Sequence, residues 1–107
     1  MKSELSAVIS QLWATLEQRR GTDQATSWSA KLIGDPRLAA KKLAEEAVET
    51  ALAAAQGDRA AVVAESADLI YHWLALLAAL GIAPDEVADA LAARQGRSGI
   101  EEKATRS

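Results

Sequence analysis

Cysteine and phenylalanine are absent from this chain of 107 residues, and histidine and tyrosine occur once each. The lack of cysteine excludes disulfides and thiolate metal sites. With one histidine and no cysteine, the sequence gives no support to a nucleophilic triad. The chain also has no excess of positive charge, since 12 basic residues stand against 15 acidic ones and the formal net charge is -3. Binding of nucleic acid through bulk charge is therefore not expected.

A long uninterrupted apolar segment is missing as well. The N-terminus carries no apolar signal core, and the run from Leu69 to Leu80 is interrupted by Tyr71, His72 and Trp73. That run is also too short to cross a bilayer. We therefore expect a soluble cytoplasmic protein, with neither a membrane nor a nucleic acid as partner.

What the chain does contain is helix-forming sequence. Half of it is hydrophobic, and much of that half is Ala. Abundant Ala, Leu, Glu, Lys and Arg with few β-branched residues favour helix nearly throughout. The length fits a single domain, residues 1–107, with a core of modest size. The sequence thus predicts an all-α protein.

Apolar spacing and capping signals place the helices along the chain. They predict long helices over residues 3–19, from Pro36 to about Gln56, from Asp58 to about Leu80, and from Pro84 to near Gly96. Residues 28–33 fit either a short helix or a turn. Because the connections are short, neighbouring helices should be antiparallel and form a small bundle.

The helix that ends near Leu80 is apolar around most of its circumference from Leu69 onward. A surface helix of a small monomer shows a narrower apolar stripe. We therefore predict that a second copy of the chain covers this helix, so that a homodimer completes the bundle.

Two acidic groups interrupt the apolar pattern of consecutive helices. The groups are Glu45, Glu46 and Glu49, and then Glu65 and Asp68. Residues three or four apart share one face of a helix. A solvated face is the commoner situation for the first group taken alone. Asp68 argues against that interpretation, because Asp is a poor residue for a helix interior.

Carboxylates from two antiparallel helices could meet across an axis separation of ~8–10 Å. They would repel one another unless a cation lay between them, and Mg²⁺ or Mn²⁺ suits oxygen ligands best. A di-iron site would require Glu-x-x-His on two helices, whereas His72 follows Asp68 by four residues. His72 is expected in the core or as a hydrogen-bonding partner of a ligand. The residues alone thus predict a Mg²⁺ site for a phosphorylated ligand.

The pattern Glu45-Glu46-x-x-Glu49 followed by Glu65-x-x-Asp68 resembles the EExxE…ExxD signature of the MazG-type all-α nucleotide pyrophosphatases. More narrowly, the chain resembles the phosphoribosyl-ATP pyrophosphatases from about Leu12 to its end. The most specific blocks are residues 27–32, 40–49, 65–72 and 93–103. Two positions depart from that family's pattern, with Trp28 where Tyr or Phe is usual and Ala44 where Gly is frequent.

The resemblance implies hydrolysis of phosphoribosyl-ATP to phosphoribosyl-AMP and pyrophosphate, the second step of histidine biosynthesis, with Glu45, Glu46 and Glu49 as catalytic residues. It implies that Mg²⁺, or Mn²⁺ in its place, is bound by Glu46, Glu49, Glu65 and Asp68. Glu45 would be a further ligand or would orient the attacking water. Phosphate contacts are expected from Lys31, Lys42, Arg94 and Lys103, and residues 97–107 are expected to form a tail near the site.

Two other functions remain open at the level of sequence. One is a housekeeping pyrophosphatase that removes non-standard nucleotides. The other is a non-catalytic helical dimerisation module that has kept the acidic face.

Overall fold

The computed structural model describes residues 4–95, and this part of the chain contains helices and no strand. The helices are α1 Leu5–Arg19, α2 Trp28–Ile33, α3 Pro36–Ala55, α4 Arg59–Leu80 and α5 Pro84–Ala92. The prediction of an all-α helical fold is confirmed. The segment that the sequence left undecided is a helix, α2.

Three of these helices begin at side chains that cap them. Ser27 accepts a hydrogen bond from the Ala30 N–H at 3.1 Å, Asp35 from Leu38 at 3.2 Å, and Asp58 from Ala61 at 3.0 Å. Each side chain satisfies one of the free N–H groups of a helix N-terminus. The capping residues Ser27, Asp35 and Asp58 therefore fix where α2, α3 and α4 start.

A tight turn joins α3 to α4. Gly57 has a φ of +71°, which is strained for residues with a Cβ atom, and its N–H donates to the Ala54 carbonyl. The two helices consequently form an antiparallel hairpin, the most extensive helix pair among the described residues. Glu49 and Glu65 are equally far in sequence from Gly57, and so are Glu46 and Asp68. The turn thus brings the two acidic groups to the same level of the hairpin.

The core lies at the side of α4 where α1, α2 and α3 meet it. Leu16, Leu32 and Leu74, from three different helices, are its largest fully buried side chains. Ala39 of α3 and Ala75 of α4 are also fully buried. Small residues at such contacts permit a short distance between helix axes.

By length and composition alone, α4 would also qualify as a membrane-crossing helix. In the structure its second half is enclosed by the other helices, with Leu74, Leu77 and Ala78 buried in the core. Its first half carries Glu65 and Asp68. Packing within the chain accounts for much of the apolar character of α4.

The last described helix ends earlier than predicted, at Ala92 rather than near Gly96. Beyond it, the Arg94 N–H donates to Leu91 and the Gln95 N–H to Ala92, at 3.1 and 3.2 Å. These bonds span three residues, as in a tight 3₁₀ turn. No residue of α5 is fully buried, so packing does little to prolong the regular helix. Its N-terminus is held by Glu86, which accepts the Ala83 N–H at 2.9 Å.

Candidate metal and phosphate site

The carboxylates of the helical hairpin converge. Glu46 and Glu49 of α3 and Glu65 of α4 each offer an oxygen, and these three oxygens lie within 4.8 Å of one another. We call these three residues the acidic cluster. The structure thus brings together three of the four side chains that the sequence predicts as metal ligands.

Asp68, the fourth predicted ligand, lies beside the acidic cluster rather than in it. It is exposed and one helical turn beyond Glu65 on α4. Its negative charge nevertheless contributes to a raised pKa of Glu46. Asp68 is therefore close enough to act on the cluster electrostatically, from its edge.

The acidic cluster contains two buried carboxylate oxygens, Oε2 of Glu46 and Oε2 of Glu65, and neither has a hydrogen-bond partner. Burial is the largest cause that raises the pKa of Glu46, and the charge of Glu49 raises it further. The pKa of Glu65 is raised to about 7, first because its protonated form can share a hydrogen with Glu49 and then with Glu46, and also through burial. Burial and the neighbouring carboxylates thus disfavour the ionised forms of Glu46 and Glu65.

A divalent cation would give the buried oxygens a partner and reduce the repulsion between the carboxylates. Buried polar atoms are normally satisfied, and a hard cation accepts several carboxylate oxygens at once. The single histidine, His72, is not free to supply a nitrogen ligand to the metal, because its two ring nitrogens are hydrogen-bonded to Trp28 and to the Asp68 carbonyl. An all-oxygen set fits Mg²⁺ or Mn²⁺ better than Zn²⁺. Glu46, Glu49 and Glu65 are therefore suited to hold such an ion, with Asp68 at the margin.

Glu45 faces a different neighbour. Its Oε2 lies 3.6 Å from the Nζ of Lys42, and its side chain lines a shallow depression together with Ala44, Val48 and Glu49. The structure therefore places Glu45 next to the acidic cluster, on the side of the lysine, and outside the group of three.

Two of the four predicted phosphate contacts meet at one aromatic ring. Lys31 of α2 and Lys42 of α3 each hold their ammonium nitrogen 5.9 Å from the centre of the Trp28 ring. Arg94 is exposed beyond α5, and within residues 4–95 no hydrogen bond or ion pair joins its side chain to the acidic cluster. Lys103 and the predicted tail, residues 97–107, lie outside the described residues.

The contacts of Trp28 and Tyr71 were not predicted from the sequence. The Trp28 indole nitrogen lies 3.4 Å from Nε2 of His72, and the Ser29 and Tyr71 hydroxyls are 2.6 Å apart. The only available signal was that these residues fall in the blocks that carry the family resemblance. The prediction for His72 is confirmed, since it is 8% exposed and its Nδ1 lies 2.9 Å from the carbonyl oxygen of Asp68.

A helical hairpin with carboxylates between its arms and lysines at its side places the chain among all-α proteins with an acidic site between helices. The model of the family described as phosphoribosyl-ATP pyrophosphohydrolase matches residues 9–95, which include every predicted site residue except Lys103. The chain belongs to the phosphoribosyl-ATP pyrophosphohydrolase family, as the motifs had indicated.

Relatives named phosphoribosyl-ATP pyrophosphatase are similar over nearly the whole chain. The protein from Caulobacter vibrioides (strain NA1000 / CB15N) is 56% identical over 107 residues, which is all of both chains. The one from Ruegeria pomeroyi is 48% identical and covers 94% of this chain and 96% of its own length. The one from Azospirillum brasilense is 48% identical, with 94% and 92% covered.

Proposed function

We propose that this chain hydrolyses phosphoribosyl-ATP to phosphoribosyl-AMP and pyrophosphate with Mg²⁺, for which Mn²⁺ can substitute, as a cytoplasmic enzyme of histidine biosynthesis. The observation that carries this proposal is the acidic cluster of a member of this family, with two buried oxygens that lack partners. The family supports the choice of substrate. The cluster supports the use of a divalent cation.

In this proposal Glu46, Glu49, Glu65 and Asp68 hold the cation. When bound, the ion would neutralise phosphate charge and lower the pKa of a coordinated water. Glu45 lies next to the cluster, where it can orient the attacking water and accept one of its protons. The water adds across the anhydride bond between the α- and β-phosphates, and the bond breaks to release pyrophosphate.

Lys31 and Lys42 supply the positive charge of the protein in this scheme. They approach one ring from two different helices, and Lys42 also lies against Glu45. Ammonium groups fixed in this way can bind phosphate oxygens and stabilise the charge that develops on the leaving pyrophosphate. Phosphoryl chemistry of this kind depends on positioning and electrostatics, so a side-chain nucleophile is not required.

Product analysis tests the proposal. The wild-type protein is incubated with phosphoribosyl-ATP, ATP or dUTP, each with and without MgCl₂. We expect release of pyrophosphate from phosphoribosyl-ATP alone, and only with the metal. Release from all three would favour a housekeeping pyrophosphatase, and release from none would favour a non-catalytic module.

A substitution in the cluster makes the same test residue-specific. Glu49→Gln removes a charge and little volume, so it should abolish turnover and leave the fold intact. Asp89→Asn, at an exposed carboxylate of α5, is the matched control and should keep full activity. Full activity in Glu49→Gln would show that the ligand assignment is wrong.

We further propose that the chain is a homodimer. Val48 and Leu52 of α3 and Val63 of α4 are 58%, 55% and 65% exposed, so the hairpin presents apolar side chains outward. A second copy that covers them could also bring Arg94 to the phosphates of a neighbouring site. Light scattering should give twice the chain mass at micromolar concentration. Leu52→Glu with Val63→Glu should give the mass of one chain, whereas the exposed control Leu91→Glu should not.

A further inference from the structure

Trp28 and His72 are connected by a hydrogen bond whose direction the chemistry fixes. The indole Nε1 lies 3.4 Å from Nε2 of His72, and Nδ1 of the same ring lies 2.9 Å from the carbonyl oxygen of Asp68. An indole N–H can only donate, and a carbonyl can only accept. His72 therefore accepts at Nε2 and donates from Nδ1. It links the ring of Trp28 to the backbone of the residue at the edge of the acidic cluster.

The rings around His72 hold this link in place. Tyr71 packs edge-on against His72 with ring centres 5.0 Å apart, and Trp28 does so at 6.4 Å. The hydroxyls of Ser29 and Tyr71 form a second hydrogen bond at 2.6 Å. Both bonds join α2 to α4, so the orientation of Trp28 at the start of α2 is determined by two neighbouring side chains of α4.

Trp28 is nevertheless not a core residue. It is 43% exposed, and its ring attracts two ammonium groups, those of Lys31 and Lys42, each 5.9 Å from the ring centre. Attraction between a cation and an aromatic face favours this arrangement. The repulsion between two like charges at one ring opposes it. An anionic ligand that binds both ammonium groups would remove that repulsion.

We propose that Trp28 is a positioning residue that holds Lys31 and Lys42 for the polyphosphate group of the substrate, and that His72 fixes the indole through its Nε2. This inference rests on the proposed function, because that substrate carries the polyphosphate. A polyphosphate can lie between the lysines on one side and a cation in the acidic cluster on the other, since Lys42 lies on α3, as do Glu46 and Glu49 of the cluster.

Four variants separate the parts of this arrangement. Trp28→Phe keeps a ring and removes the N–H, whereas Trp28→Leu removes the ring. His72→Phe removes the acceptor and keeps an aromatic ring against Tyr71. The double variant Trp28→Phe with His72→Phe completes a mutant cycle. Trp13→Phe, on α1, is the control for replacing a tryptophan as such.

Kinetics with phosphoribosyl-ATP should distinguish positioning from chemistry. We expect Trp28→Leu to raise KM by about tenfold while kcat changes by less than about threefold, because the lost contacts serve substrate binding. Trp28→Phe and His72→Phe should each raise KM about threefold, and the double variant should be no worse than either, because all three lose the same bond. Trp13→Phe should match the wild type.

A binding measurement keeps this inference separate from the proposed function. Calorimetry with α,β-methylene-ATP and MgCl₂ should show the same order of affinities as KM, while binding of MgCl₂ alone should be unchanged in every variant. If the wild type fails to hydrolyse phosphoribosyl-ATP but binds the analogue more tightly than Trp28→Leu does, the proposed function fails and this inference stands.

Three results would overturn the inference. They are an unchanged KM and analogue affinity in Trp28→Leu, a wild type that binds no polyphosphate, and additive effects of the two Phe substitutions. If His72→Phe does not fold, Trp28→Phe against Trp13→Phe still tests the role of the indole N–H, and an equal KM in these two would refute it.

Discussion

Glu46 of α3 and Glu65 of α4 meet in the acidic cluster, and each keeps one carboxylate oxygen buried without a hydrogen-bond partner. A buried acceptor without a donor costs free energy, and like charges nearby add to that cost. Repulsion between these carboxylates and their burial therefore oppose the folding of the hairpin. Relief of this cost should be measurable in the absence of any substrate.

Substitution of Glu65 should change metal binding and stability in opposite directions. Glu65→Gln removes one charge from the cluster and introduces a donor, so the metal-free variant should melt at a higher temperature than the wild type. The same change removes a ligand, and the affinity for Mg²⁺ should fall by at least about tenfold. Thermal melts and calorimetry with and without MgCl₂ measure both effects.

Asp89→Asn is the control for this substitution, since it removes one exposed carboxylate elsewhere. It should leave the melting temperature and the affinity for Mg²⁺ close to those of the wild type. A metal-free Glu65→Gln variant that melted lower than the wild type would contradict the account of strain in the cluster.

The stability of the metal-free protein should fall as the pH rises through the titration of Glu46 and Glu65. The pKa of Glu65 is raised from 4.5 to about 7 in the folded chain, and that of Glu46 is also raised. Between those values the folded state binds more protons than the unfolded state, so unfolding becomes easier with increasing pH. Urea denaturation at pH 5 and at pH 8 should show the higher free energy of unfolding at pH 5.

Two comparisons test whether the free energy of unfolding falls with rising pH for this reason. In Glu65→Gln the difference between pH 5 and pH 8 should shrink, because the main titrating group is gone. Saturating MgCl₂ should stabilise the wild type more at pH 8 than at pH 5, since protons compete with the ion. A metal-free wild type that gained stability from pH 5 to pH 8 would show that the carboxylates do not strain the fold.

The position of the acidic cluster followed from local sequence rules. Cap residues set the start of each helix, helical spacing put Glu46 and Glu49 on one face, and Gly57 marked the turn that brings Glu65 back to them. Such features depend on residues close together in the chain. The bounds of the long helices were predictable for the same reason, except at the end of α5, where no buried side chain marks the end. The sequence left the short helix α2 undecided between a helix and a turn.

The side chains around Trp28 could not be placed in this way. α2 is six residues long, and its orientation depends on contacts with Tyr71 and His72, more than forty residues away. Helical spacing carries no information on how a short helix docks. The contact of Glu45 with Lys42 was likewise undetermined, because Glu45 can turn toward the cluster or toward the lysine from one backbone position.

The stability of the protein should be sensitive to a loss of side-chain volume on the buried face of α4. Leu74 is fully buried between α4 and the helices around it, so Leu74→Ala should lower the free energy of unfolding by about 2–5 kcal/mol. Leu80→Ala, near the end of the same helix and 53% exposed, should cost about 1 kcal/mol or less. Urea denaturation gives both values, and equal losses would mean that the core is not centred on Leu74.

Arg20 ties the end of α1 to the end of α4. Its Nη2 donates to the carbonyl oxygen of Ala78 at 2.8 Å and to Oε1 of Glu17 at 2.7 Å. The C-terminal carbonyls of a helix lack partners inside the helix, and a cation there is favourable. Because the Arg20 side chain is 45% exposed, solvent weakens this interaction, and Arg20→Ala should cost only about 1 kcal/mol of unfolding free energy.

Arg19→Ala is the matched control for Arg20→Ala, since Arg19 is its exposed neighbour and its side chain forms no hydrogen bond or ion pair within residues 4–95. It should change the free energy of unfolding by less than about 0.5 kcal/mol. Amide exchange adds a local measurement. In Arg20→Ala the Gly81 and Ile82 amides, which donate to Ala78 and Leu77, should exchange faster, while amides in the α3–α4 turn should not. Unchanged exchange at Gly81 would show that Arg20 does not hold this end of α4.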